Sequence, residues 1–268
     1  MNVKIGFIGA GNIVQAILTG VEKSGAYAPG EMGIFDIAEP VKAQMADRGY
    51  AVFDGIDALV AASEVAVVAV TPQVIGSVAG DIKAGLAEDT VLLSLAAGIS
   101  NSWYEEHLAT SCKVVRCMPT LTAQAGLGAF AVTPSKNING QDYAKVKAFL
   151  ESCGIIEEIP EHLMSEVVPI NGSAPAYFYH MAALVAKEAA AWGFNEQTAI
   201  RLFAETMKGS AETLLSSGMS PQELEDKLRL PGGTTLAALD KMDALGFDHC
   251  FTEGLKACAE RCRELGQL

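Results

Sequence analysis

Ile5-Gly6-Phe7-Ile8-Gly9-Ala10-Gly11-Asn12-Ile13-Val14-Gln15-Ala16 runs from an apolar strand through a G-x-G turn into the start of a helix. Gly9 permits a tight turn at the end of the strand, and Gly11 lets the backbone approach a pyrophosphate with no Cβ in the way. The phosphates would then meet the N–H groups at the positive end of a helix. Val14 stands where a third glycine would complete G-x-G-x-x-G, so the pattern is partial. Its weight comes from context, directly behind an N-terminal strand. Gly9, Ala10, Gly11, Asn12 and Ile13 are the expected contacts to a dinucleotide.

Outward from this loop, short apolar strands alternate with segments of helical length. The predicted strands are Val3–Ile8, Met32–Phe35, Tyr50–Phe53, Val65–Val70, Val91–Leu95, Lys113–Cys117, Gly128–Thr133 and Gly154–Ile159. Such alternation indicates βαβ units and a mostly parallel sheet with right-handed crossovers. Val65-Ala66-Val67-Val68-Ala69-Val70 has no polar face, as expected of a strand covered on both sides. Ser102-Trp103-Tyr104-Glu105 reads as a capping box. After Pro160 the strand signals stop and long helices follow. One starts near Ser173–Pro175 and ends at Gly193, Asn195 caps the next, and Ser220-Pro221-Gln222-Glu223 opens a third. The expected fold is α/β: a Rossmann-type, mostly parallel sheet domain over residues 1–160, then an all-helical C-terminal domain over 161–268. Many alanines on the helix around Ala176–Ala191 suit close packing, within one subunit or across a dimer.

The net charge of −13 argues against nucleic acid as a partner. It also means that an anionic dinucleotide must be held by local backbone devices. No apolar run is long enough to span a bilayer, and the early start of the first strand leaves no room for a cleavable leader, so a cytoplasmic protein is expected. The six cysteines include no C-x-x-C pair. Cys258 and Cys262, with His249 and Cys250 nearby, could be imagined around a metal. Small buried residues in a reducing compartment are the favoured reading, with no metal expected.

Asp36 ends the second strand about twenty residues beyond the glycine loop, where a carboxylate accepts ribose hydroxyls and disfavours a 2′-phosphate. The alternative is that it caps the following turn, so both NAD(H) and NADP(H) stay open. Ala69-Val70-Thr71-Pro72-Gln73 and Ala96-Ala97-Gly98 follow the fourth and fifth strands, at carboxyl ends where open α/β sheets bind ligands. Pro231-Gly232-Gly233-Thr234-Thr235 precedes a helix in the second half. Consecutive glycines at a positive helix end suit a small carboxylate or phosphate, although a plain turn capped by Thr234 would look the same.

Pro231-Gly232-Gly233-Thr234-Thr235-Leu236-Ala237-Ala238-Leu239 resembles the signature of the pyrroline-5-carboxylate reductases. The resemblance extends to Gly6–Asn12, Ala69–Gln73, Ala96–Gly98, Arg116-Cys117-Met118-Pro119 and Gly172–Tyr177, in order along the chain. It implies reduction of 1-pyrroline-5-carboxylate to proline by NADPH or NADH. Carried to this sequence, Gly232, Gly233 and Thr234 would hold the substrate carboxylate, and Thr235 would hydrogen-bond the ring nitrogen. Ala69, Val70, Thr71, Pro72, Ala96, Ala97, Gly98, Met118 and Pro119 would line the cofactor. It also implies a homodimer through the helical domain, and in some members a larger homo-oligomer. Leu230, Thr71 and Thr120-Leu121-Thr122 depart from the usual Ser, Lys and Asn-Thr-Pro. A reductase of another cyclic imino acid and a catalytically silent dinucleotide-binding protein are the alternatives. The β-hydroxyacid dehydrogenases share the architecture but need a lysine early in the first long helix, and Asn171–Ala186 contains none.

Overall fold

A computed structural model describes residues 2–267. The first part holds β1 (Val3–Ile8), α1 (Asn12–Ser24), β2 (Met32–Phe35), α2 (Glu39–Asp47), β3 (Ala51–Val52), α3 (Ile56–Ala61) and β4 (Ser63–Val68). It continues with α4 (Pro72–Gly85), β5 (Val91–Ser94), α5 (Asn101–His107), β6 (Lys113–Met118), β7 (Gly128–Pro134), α6 (Gly140–Glu151) and β8 (Gly154–Glu158). Then come α7 (Ala174–Ala191), α8 (Glu196–Ser216), α9 (Pro221–Asp226), α10 (Thr234–Ala244) and α11 (Phe247–Leu265).

The sheet order is β3-β2-β1-β4-β5-β6-β7-β8. All neighbours run parallel except β6 and β7. The strand order reverses between β1 and β4, and a doubly wound sheet binds its ligand in the crevice at such a switch point. Ile8 pairs with Val68 there, so the chain leaves both strands at the same height. The β4 run is apolar because both of its faces are buried. Val65 and Val67 pack with Phe7, Ile17 and Phe149 on one side, while Ala66 and Val68 pack with Leu59, Ile75 and Tyr104 on the other.

The described residues form two compact units: 2–175 with 257–267, and 176–256. Compactness therefore divides the chain later than the change of pattern at Pro160. In the first unit, Arg263 on the last turns of α11 pairs with Glu166, and Gly266 lies against Gly98. Nothing local at Pro160 signals that residues a hundred positions on pack beside it. In the second unit the buried hydrophobic side chains are alanines: Ala186, Ala189 and Ala199.

The helix starts follow their caps. Asn195 accepts the Thr198 N–H, and Ser220 and Glu223 form a reciprocal capping box. The expected capping box at Ser102 is wrong. Ser100 is the N-cap, accepting the Trp103 N–H at 3.1 Å, and Ser102 sits inside α5 with its hydroxyl on Ser100 Oγ. The Glu161 carboxylate takes the Asn101 N–H at 2.7 Å and holds the helix start earlier. A residue that distant lies outside any local pattern.

At the other end of the sheet, Asp142 Oδ2 accepts from Lys113 at 2.7 Å and from Asn139 at 2.8 Å. The Lys113 ammonium, with Lys145 behind it, holds the Asp142 carboxyl below the usual carboxylate range. A carboxyl whose pKa is lowered on folding adds stability above its unfolded value, and that gain vanishes as pH falls through the folded value. Asp142→Asn should therefore lower stability near neutral pH by about 1–3 kcal/mol. The difference from the parent should shrink as pH falls below the usual carboxylate range, and thermal melts at neutral and at acid pH check both.

Candidate active site

The glycine loop sits at the switch point. Gly9 donates to the Phe35 carbonyl at 2.8 Å, and Ala69 donates to the Ile8 carbonyl at 3.0 Å, so the ends of β1, β2 and β4 are stitched together. Gly9 has φ +93°, and a Cβ there would lie 3.0 Å from the Ala69 carbonyl oxygen. Both the backbone angle and the close approach require glycine. Gly11 is different. Its backbone is extended, and a Cβ built on it meets no protein atom within 4 Å. Packing inside the protein gives no reason for a glycine there, whereas the approach of a ligand does.

The donors around this space can be assigned. The Ala10 N–H is taken by Asp36 Oδ2 at 2.8 Å, so Gly9 and Ala10 shape the loop without offering an N–H outward. The first α-helical bond of α1 runs from Gln15 N–H to the Gly11 carbonyl, which leaves the N–H groups of Asn12, Ile13 and Val14 without an intrahelical acceptor. Val14 is fully buried in the core, which explains why the third glycine position carries a side chain. Asp36 takes the turn-capping part and adds a bond to the glycine loop. Its Oδ1 accepts the Ala38 N–H of the following turn at 2.9 Å, its Oδ2 braces the glycine loop, and it stays only half-buried.

Charge is distributed to suit. In this acidic chain α2, α6, α8, α9 and α11 each carry a carboxylate in the first turn, whereas α1, α4, α7 and α10 carry none. A helix start with no carboxylate of its own keeps its positive end for an outside anion. Helix α5 also lacks one, but Glu161 fills that place.

The other predicted segments differ in how far packing explains them. Thr71 caps α4 through its backbone alone, with Pro72 at the first helical position, so its hydroxyl is not used as a cap. Ala96 is buried and Ala97 half-buried beyond β5. Gly98 has a packing reason: its Cβ would lie 2.6 Å from the Gly266 nitrogen. Its smallness therefore carries no argument for a ligand. Met118 is buried with Ala131 and Met164, and Gly172 packs on its sulfur. Pro119 is buried as well. Thr120 accepts the Ala129 N–H and pairs with Thr122, which gives the two departures there a structural role.

Arg116 escaped the sequence reading as more than part of a motif. Only 6% exposed, it donates to Glu161 Oε1 at 2.9 Å, on the same oxygen that holds the start of α5. An arginine inside an apolar strand is the readable signal, because a buried charge demands a partner. Burial raises the pKa of the Cys112 and Cys153 thiols to about 11, which keeps them protonated and unreactive. Cys250 is exposed, against the expectation of buried thiols, because it lies on an outward part of α11. Among the described residues no three His, Cys, Asp or Glu side chains are placed to share a metal.

The second unit carries the other loop. Gly233 donates to the Leu230 carbonyl at 2.9 Å around Pro231 and Gly232, and Gly232 has φ +74°. Proline at i+1 and a positive-φ glycine at i+2 are the requirements of a type II turn. Gly233, not Thr234, is the N-cap of α10, and the first helical bond runs from Ala237 N–H to the Gly233 carbonyl. Thr234, Thr235 and Leu236 thus stand in the first turn with unpaired N–H groups. Elsewhere Thr206, Thr213 and Thr252 bond back to the i−4 carbonyl. Thr235 has a turn residue at i−4, and among the described residues its exposed hydroxyl has no partner. Arg229 pairs with Glu225 and Asp243 and so braces the loop between α9 and α10.

Comparison with known proteins covers both loops. Residues 161–265 match the family model described as pyrroline-5-carboxylate reductase dimerisation, and residues 4–98 match that of NADP oxidoreductase, coenzyme F420-dependent. The pyrroline-5-carboxylate reductase of Methanosarcina acetivorans is 33% identical over 99% of both chains. That of Escherichia coli is 32% identical over the full length of both. The crystal structure of Plasmodium falciparum pyrroline carboxylate reductase with NADP bound superposes with a TM-score of 0.91 at 27% identity, covering 99% of this chain and 98% of that one. Similarity of this degree, sustained from end to end, places the chain in the pyrroline-5-carboxylate reductase family.

Proposed function

We propose that the protein reduces 1-pyrroline-5-carboxylate to L-proline, the last step of proline biosynthesis, with NADPH or NADH as reductant. The observation that carries this reading is the presence of two anion-receptive helix starts in one acidic chain, α1 behind Gly9–Gly11 and α10 behind Pro231–Gly233. Relatives that bear the name of this activity match over the full length, and one was crystallised with NADP.

The reduced nicotinamide cofactor, when bound, supplies the hydride. Gly11, Asn12 and Ile13 meet its pyrophosphate through backbone N–H groups, over the space that a Gly11 side chain would fill. The segments Ala69–Pro72, Ala96–Gly98 and Met118-Pro119 at the carboxyl ends of their strands shape the rest of the cofactor surface. Gly232, Thr234 and Thr235 hold the substrate carboxylate with N–H groups, and Gly233 serves by forming the turn. The Thr235 hydroxyl orients the ring nitrogen. An unactivated threonine is a poor base, so this is a positioning role. The protonated imine accepts hydride at its carbon and keeps the proton on its nitrogen. What the protein adds is orientation and dryness, and proximity of this kind supplies about 7–11 kcal/mol at best.

The helical part, residues 161–268, is assigned to dimerisation and substrate binding, in a homodimer or a larger assembly. A unit that buries only alanines leaves its large apolar side chains uncovered. Trp192 is 74% exposed, and Tyr179, Leu184, Phe194 and Leu202 are exposed as well. Covering that surface with a second copy supplies the missing burial. A cytoplasmic location suits six free cysteines, and no helix among the described residues is long and apolar enough to cross a membrane.

Thr235→Ala should lower kcat with pyrroline-5-carboxylate by roughly 10- to 100-fold while the dinucleotide Kd is unchanged. Loss of reduced-nicotinamide absorbance follows the reaction, and unaltered kinetics in that variant would refute the assigned role. No substrate-dependent oxidation by the parent protein would refute the function itself. Sedimentation equilibrium should give a dimer or a multiple of it, and a stable monomer at micromolar concentration would contradict the assembly.

A further inference from the structure

We propose that the chain prefers NADH to NADPH because Asp36 fixes a negative charge where the adenosine ribose lies, while the next cations along the chain, Lys42 and Arg48, are already paired. The proposal rests on the dinucleotide reading above and deepens it. Asp36 follows the end of β2, from which a carboxylate accepts ribose hydroxyls. The Ala10 N–H binds one carboxylate oxygen at 2.8 Å and the Ala38 N–H binds the other at 2.9 Å. Two backbone donors on two oxygens hold the group in place, so it cannot swing aside for an incoming phosphate. Each oxygen still has a lone pair for a ribose hydroxyl.

The surroundings give a phosphate nothing in return. Where a dinucleotide site accepts a 2′-phosphate, an arginine nearby receives it. Here the residues after Asp36 are Ile37, Ala38 and Glu39, and Ile37 is 90% exposed. Lys42, the next cation along the chain, is ion-paired with Glu39. Arg48, the one after it, is held by Gln15 at 2.6 Å and by Glu22 at 2.8 Å. A 2′-phosphate would therefore meet a fixed carboxylate at a site where Lys42 and Arg48, the next basic residues along the chain, are already paired, and like charges so placed are penalised strongly.

Titration of the purified full-length protein with NADH and with NADPH, followed by nicotinamide fluorescence without substrate, tests this directly. NADPH should bind at least about tenfold more weakly than NADH. Ile37→Arg combined with Glu39→Gln places a cation beside the ribose and frees Lys42. Both positions are exposed, so the fold is preserved. That variant should tighten NADPH by roughly fivefold or more and leave NADH within about twofold. Asp36→Asn should narrow the difference as well, with its thermal melt reporting any damage to the loop. Equal or tighter binding of NADPH by the parent protein overturns the preference and leaves the dinucleotide reading standing. Binding of neither nucleotide overturns that reading and the preference with it.

Discussion

The approach of two backbones at the top of the sheet governs the nucleotide end of this protein. Where β1 and β4 part, the position of a Gly9 Cβ lies 3.0 Å from the Ala69 carbonyl oxygen. Only a glycine lets the chain turn there with φ +93° and run straight into α1. The turn places the start of α1 over the crevice at the switch point. It also brings the Ala10 N–H to Asp36, which ties β2 to the same loop. A chain with a net charge of −13 has no general attraction for a phosphate. It depends instead on a few N–H groups with no acceptor of their own, at a helix start free of carboxylates.

The second unit repeats the device by other means. There a proline and a positive-φ glycine form the turn, and α10 begins behind it. Gly233 commits its N–H to the turn, so the donors facing outward come from the residues that follow. In the function proposed above, one loop receives the phosphates of the reductant and the other a small carboxylate, which would anchor each end of the reaction by backbone. Side-chain acid–base groups play little part in such a scheme, and the buried thiols, held protonated near pKa 11, do not enter it.

Much of this was legible in the residues, for physical reasons. Strands buried on both faces, β4 and β5 above all, write themselves as continuous apolar runs, and all eight predicted strands appear within two residues of their expected ends. Asn195 and Ser220 declared their helices through local caps. What escaped were the long-range contacts. Ser102 looked like a cap because Glu161, which fixes the true start of α5, is far away in sequence. Gly98 looked like a ligand-facing glycine because Gly266, which needs the space, lies near the other end of the chain. The antiparallel β7 leaves no mark in composition, since pairing direction is set by how the chain returns to the sheet. Asp36 showed its turn cap locally, but its bond to the Ala10 N–H spans the gap between two strands and leaves no local mark.

The claim on which the rest turns is that Gly11 is a glycine for the sake of a ligand. Replacing it with alanine adds a methyl group that meets no protein atom within 4 Å. The account predicts an unchanged melting temperature for Gly11→Ala without ligand, and dinucleotide binding weakened by about tenfold or more. Parent-like binding by this variant, or a loss of stability without any ligand present, would contradict it.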